Sequence, residues 1–127
     1  MTTSNKSKLI VKQAADASIR FAGKLHPKLE DSTENSFYSP FSLLSALGMC
    51  LAGAKKETQK ILAKLLEAPE NEEDQKSFFK TLVDEVRDTE NKPYELVTAN
   101  ALWPQSGLEF NDEFSKTITY DFGGKFV

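Results

Sequence analysis

Few side chains in this sequence could carry chemistry, and their neighbours limit what each can do. The only cysteine, Cys50, lies inside the longest charge-free stretch, residues 35–54. A nucleophilic thiolate needs a basic neighbour or a helix N-terminus to lower its pKa, and Cys50 has neither in sequence. It reads as a small apolar side chain filling a core. The only histidine, His26, precedes Pro27 and stands close to Lys24 and Lys28. No metal-ligating partner is spaced for it, and no G-x-S-x-G elbow supplies a serine nucleophile. It reads as a surface histidine at a helix end. One cysteine and one histidine exclude a disulfide framework, a Cys-based zinc cluster and a multi-His site, so no metal and no cofactor is expected.

Two charge clusters remain. Residues 70–90 hold Glu70, Glu72, Glu73, Asp74, Asp84, Glu85, Asp88 and Glu90 against Lys76, Lys80 and Arg87, a net of −5. Paired catalytic carboxylates need a defined cleft, whereas acids in a helix's first turn suit its dipole. A solvated face is the reading, and its charge opposes glycosaminoglycan binding there. Lys55, Lys56, Lys60 and Lys64 against Glu57 make a local +3. No aromatic residues are interleaved for base stacking, so these lysines read as the wet back of an amphipathic helix. Neither cluster, nor the net charge of −3, calls for nucleic acid.

The elements that hold these residues follow from periodicity. Ile10, Ala14, Ala17, Phe21 and Leu25 repeat at helical spacing and predict a helix over residues 5–25, which Pro27 should bar from passing His26. Residues 35–38 suggest a very short strand. Ser39-Pro40 opens a helix over residues 40–52, ended by Gly53; it is apolar all round and must be wrapped by other elements. A third helix spans residues 55–67, with Ile61, Leu62, Leu65 and Leu66 on one face. A fourth spans residues 72–89, with Phe78, Phe79, Leu82, Val83 and Val86 as its stripe. Asn91-Lys92-Pro93 is a turn. Residues 94–103 read as a strand with apolar residues on both faces, hence covered on both sides. Asn111 caps a last helix to about Tyr120, and residues 125–127 begin a strand.

At 127 residues with 39% hydrophobic and 28% charged residues, the composition is that of one folding domain. The charge-free stretch is broken by Asn35, Ser36, Ser39, Pro40, Ser42, Ser45, Gly48 and Gly53, so it is a buried helix with its approach and not a membrane span. Residues 1–8 are polar, without a following apolar signal region. With a single thiol, that points to a reducing, cytoplasmic setting, in which the sequon Asn5-Lys6-Ser7 stays idle; an extracellular setting reached by non-classical secretion is the alternative. One long strand and a stub cannot satisfy their own edges; the chain reads as the beginning of something larger.

From Asn35 onward a family pattern stands out. Asn35-Ser36-Phe37-Tyr38-Ser39-Pro40-Phe41-Ser42 resembles the serpin motif N-x-[FV]-x-S-P-x-S. It is followed in order by Ala46-Leu47, Leu51-Ala52-Gly53-Ala54 and Thr58. Thr98-Ala99-Asn100-Ala101-Leu102-Trp103 resembles the second strand of serpin sheet A. The region from Phe110 and Phe114 to Tyr120, Phe122 and Gly123 resembles helix E and its exit. The motif residues Asn35, Phe37, Leu47, Gly53, Ala54 and Thr58 carry the match through helices B and C.

The resemblance implies an α+β fold: the N-terminal portion, residues 1–127, of a single serpin domain, with helices A–E, the second strand of sheet A and a short sheet B strand. It implies an inhibitor and not an enzyme. A serine or cysteine protease cleaves an exposed reactive-centre loop, which inserts into sheet A and drags the acylated protease with it. By resemblance, Ser39, Pro40 and Ser42 lie at the "shutter" beneath sheet A, with Asn100 on a strand above. The partner implied is a target protease of the complete domain; no membrane partner is implied. The reactive-centre loop would follow Val127, so these residues hold no inhibitory site of their own. A non-inhibitory serpin-like binding, storage or chaperone protein is the alternative. The isolated chain is expected to oligomerise or aggregate through its open strand.

Overall fold

The computed structural model describes residues 3–29, 34–88, 90 and 92–127. Its elements run α1 (Thr3–Leu29), α2 (Pro40–Gly53), α3 (Lys56–Leu66), α4 (Glu72–Arg87), β1 (Ala101–Leu102), α5 (Asp112–Tyr120) and β2 (Lys125–Phe126). The architecture is helical with a small sheet, as the α+β reading requires.

Local chemistry sets most helix starts. Ser39 Oγ accepts from the Ser42 N–H, and Pro40 occupies the first turn of α2, where its missing donor is not needed. Asn71 Oδ1 accepts from Asp74 N at 2.8 Å, and Asn111 Oδ1 from Glu113 N at 2.8 Å. Glu67 closes α3 in the left-handed region at φ 52°.

α2 packs against all four other helices. Leu44, Met49 and Leu51 join Ala14, Ala17 and Phe21 of α1, Ala63 and Leu66 of α3, Phe78, Phe79 and Leu82 of α4, and Ile118 and Phe122 in one core. Gly48 makes the closest approach possible. A Cβ there would lie 2.5 Å from the Phe79 ring and 2.9 Å from that of Phe122.

Several expectations change. α1 runs through Pro27 to Leu29. In that exposed last turn the proline forfeits one hydrogen bond, to the Gly23 carbonyl, which water can replace. Residues 35–39 form no strand and have no strand beside them among the described residues. The strand expected over residues 94–103 shrinks to Ala101–Leu102, paired in parallel with Lys125–Phe126. A strand needs hydrogen bonds from another segment, and among the described residues only Lys125–Phe126 pairs with this one. Val97 and Trp103 consequently stand in solvent and are not covered. Ile61 and Leu65 also face outward, while Ala63 and Leu66 carry the burial of α3. Of the turn at residues 91–93, Asn91 lies outside the described residues; Lys92 and Pro93 are bends.

Candidate functional site

The residues singled out by the sequence meet where the N-terminus of α2 faces the segment leading into β1. Ser42 N donates to Ser39 Oγ at 3.2 Å, and Ser42 Oγ donates to the same oxygen at 3.0 Å. Across from this hydroxyl pair runs the backbone of residues 96–100. Between them opens a hollow of about 370 Å³ lined by Ser39, Phe41, Ser42, Val86 and residues 96–100. The Asn100 carbonyl accepts from Lys125 N at 3.0 Å and so begins the β1–β2 ladder.

The structure therefore brings Ser39, Ser42 and Asn100 around one space, with Pro40 fixing the helix end beneath. The other motif residues serve elsewhere. Asn35 and Phe37 are exposed on the approach to α2, and Leu47 packs at the edge of the core. Thr58 lies in the first turn of α3, and Gly53 and Ala54 sit at the far end of α2, about 20 Å along a helix of this length. There a Cβ on Gly53 would stand 3.0 Å from the Phe114 ring, and Ala54 N donates to Leu51 O at 3.0 Å. Val86 lines the hollow unforeseen. As the last member of the α4 stripe it reads as core, and only the three-dimensional position of residues 96–100 reveals its second neighbour.

The lining contains no titratable group. With three hydroxyls (Ser39, Ser42 and Thr98), one amide and otherwise apolar side chains, it can neither abstract a proton nor form an activated nucleophile. What it can do is mechanical. Small hydroxyls let an extended segment lie on, or lift from, a helix end at little steric cost, with their own hydrogen bonds kept.

The remaining candidates resolve separately. Cys50 is exposed and not core. It shares a side of α2 with Ser42, Leu43 and Ala46, and that side is left open. His26 is exposed, its Nδ1 3.1 Å from the Tyr38 hydroxyl and its ring stacked on Tyr38 at 6.1 Å. Among the described residues no group of three or more His, Cys, Asp or Glu side chains could hold a metal, and no helix is long and apolar enough to cross a membrane. The acids of α4's first turn are solvated, with Glu72 meeting Lys55. Away from the hollow, Lys24 and Arg20 hydrogen-bond to Glu67 and hold its carboxyl below the usual range. Burial raises Asp121, with Lys80 and Lys76 opposing.

Comparison with known proteins supplies the class. The family described as serpin (serine protease inhibitor) matches residues 16–126. The chain belongs to the serpin family, and its helices with their small sheet are the N-terminal part of that fold. It is 31% identical over 103 residues to an uncharacterized serpin-like protein of Thermococcus kodakarensis, covering 81% of this chain and 24% of the relative. It is 30% identical to antithrombin-III of Mus musculus, covering 89% and 26%, and 29% identical to a leukocyte elastase inhibitor of Xenopus tropicalis, covering 82% and 28%. The chain thus spans about a quarter of the length of these relatives. At the family level the activity is protease inhibition, and one of these relatives bears an inhibitor's name.

Proposed function

We propose that residues 1–127 form the N-terminal portion of a single serpin domain that inhibits a serine or cysteine protease by the family's suicide-trapping mechanism. Ser39, Pro40, Ser42 and Asn100 act as its shutter. The observation that carries this reading is the neutral hollow in which the Ser39–Ser42 pair meets residues 96–100. That segment is tied down weakly: among the described residues, 96–99 enter no backbone–backbone hydrogen bond, and the ladder to β2 begins at Asn100 O. A sheet that must admit another strand needs such a segment above a smooth, small-residue helix end. The partner is a protease engaged by parts of the domain beyond these residues. The setting is cytoplasmic, supported by an unpaired, exposed thiol.

The test uses a protein that spans the relatives' full length and begins with this sequence, mixed with trypsin-like, chymotrypsin-like and papain-like proteases. An adduct that survives boiling in detergent is the expected result for at least one of them. Ser42→Phe should reduce adduct formation and raise polymer on native gels after mild heating. Cleavage without any adduct would assign the protein to the non-inhibitory serpins, and an unaffected Ser42→Phe variant would remove the shutter role.

A further inference from the structure

Away from the hollow, the surface of the chain separates by charge. On the outside of α3, Lys60 and Lys64 stand one turn apart, with Lys56 a turn earlier. None of the ion pairs among the described residues uses these three lysines. Beside them Ile61 and Leu65, also one turn apart, are 59% and 45% exposed. Arg20 and Lys24 of α1 reach the C-terminal end of α3 through Glu67 and extend the basic side. Core packing does not account for this face, because Ala63 and Leu66 already bury the opposite one.

The same chain carries a complementary surface. Leu108 N donates to Gln105 O at 3.2 Å, closing a turn in which Gly107 takes φ +86°, a conformation suited to glycine. The turn holds out Leu108, 57% exposed. Glu109 follows, and Asp112 and Glu113 open α5; all three are exposed. Glu113 meets Lys76 at 3.0 Å, whereas Glu109 and Asp112 enter no ion pair among the described residues.

We propose that these two surfaces meet between copies of the chain. Leu108 of one copy seats against Ile61 and Leu65 of the next, with Glu109 and Asp112 placed against Lys60 and Lys64. The two surfaces differ, so a contact made once between two copies is heterologous and either extends head to tail or closes into a ring. Three apolar anchors make a small contact, in the size range of transient encounters. Its charges govern association rate and salt sensitivity more than tightness.

Sedimentation of the 127-residue chain over a range of concentrations tests this. At low salt the average mass should climb with concentration. In 1 M NaCl, where the Debye length is about 3 Å, it should fall toward the monomer. Association through the open apolar strand side has no such charge dependence, so a mass that holds or grows with salt overturns the proposal. Lys60→Glu with Lys64→Glu, and separately Glu109→Lys with Asp112→Lys, should each abolish the association. Mixing the two variants should restore it, since each then offers the charge the other needs. Undiminished association of either variant, or no recovery on mixing, refutes the contact. So does a chain that stays monomeric while Lys60 and Lys64 bind it to phosphatidylserine vesicles, which would make α3 a membrane-facing helix.

Discussion

The helical side of this chain and its strand side were built under different constraints. In the bundle, α2 is gripped by four helices and its apolar residues find partners within the 127 residues: Leu44, Leu51, Leu66, Phe79 and Ile118 are almost wholly enclosed. On the strand side, residues 94–103 find a partner two residues long, and Val97 and Trp103 face water. A helix satisfies its backbone by itself and asks neighbours only for apolar cover. A strand asks for hydrogen bonds from another segment. The bundle therefore meets its own requirements, while the strand side depends on whatever segment pairs with it.

Phe79→Ala should break the comparison most severely. The ring packs edge-on to Phe78 and against Phe122, both at 5.1 Å, and its removal should cost about 3–5 kcal/mol in urea unfolding. Trp103→Ala on the exposed side should stay within about 0.5 kcal/mol; equal losses would erase the distinction between the two sides. Gly48→Ala should destabilise by about 1–3 kcal/mol through overpacking against Phe79 and Phe122, less the roughly 1 kcal/mol that alanine gains in helix propensity. A net gain would mean that the rings can retreat. Ser45→Ala should stabilise by up to about 1 kcal/mol, because the fully buried Ser45 Oγ makes no hydrogen bond among the described residues.

The smallest effect is one of pH. Lys24 and Arg20 lower Glu67 from its ordinary value of 4.5. Its contribution to stability is therefore present above that value and lost as pH falls through the lowered pKa of the folded state. Urea midpoints of the wild type should drop more between pH 6 and pH 3 than those of Glu67→Gln. Asp121, raised by burial, has the opposite sign: its ionisation opposes folding as pH rises through its raised value.

Helix positions were legible because their signals are local. Ser39-Pro40 and Asn111 announce starts that the cap hydrogen bonds realise, whereas the Asn71 cap of α4 emerges from the structure. Which apolar residues face inward was less legible. Ile61 and Leu65 share α3 with Leu66, and only the placement of α1 and α2 decides that Leu66 is buried. Cys50 sits in a helix rich in apolar residues yet on its open side, for the same reason. The length of β1 was illegible because it depends on β2, far along the chain. The hollow was legible in part. Ser39, Ser42 and Asn100 belong to recognisable motifs, whereas Val86 enters it from a helix whose stripe points to the core.

Because β1 and β2 run parallel, a tight hairpin cannot join them; the chain must cross over, and α5 occupies that crossover. Closing a connection of about 22 residues costs entropy that grows with the logarithm of its length, against the return of a two-residue pairing among the described residues. The sheet is therefore a late event in folding. It should lock only after Ile118 and Phe122 have docked α5 and its exit onto α2 and α4, and it should be the first element to let go. In kinetic terms, the amides of residues 96–100, over the Ser39–Ser42 pair, should exchange with solvent long before those of α4.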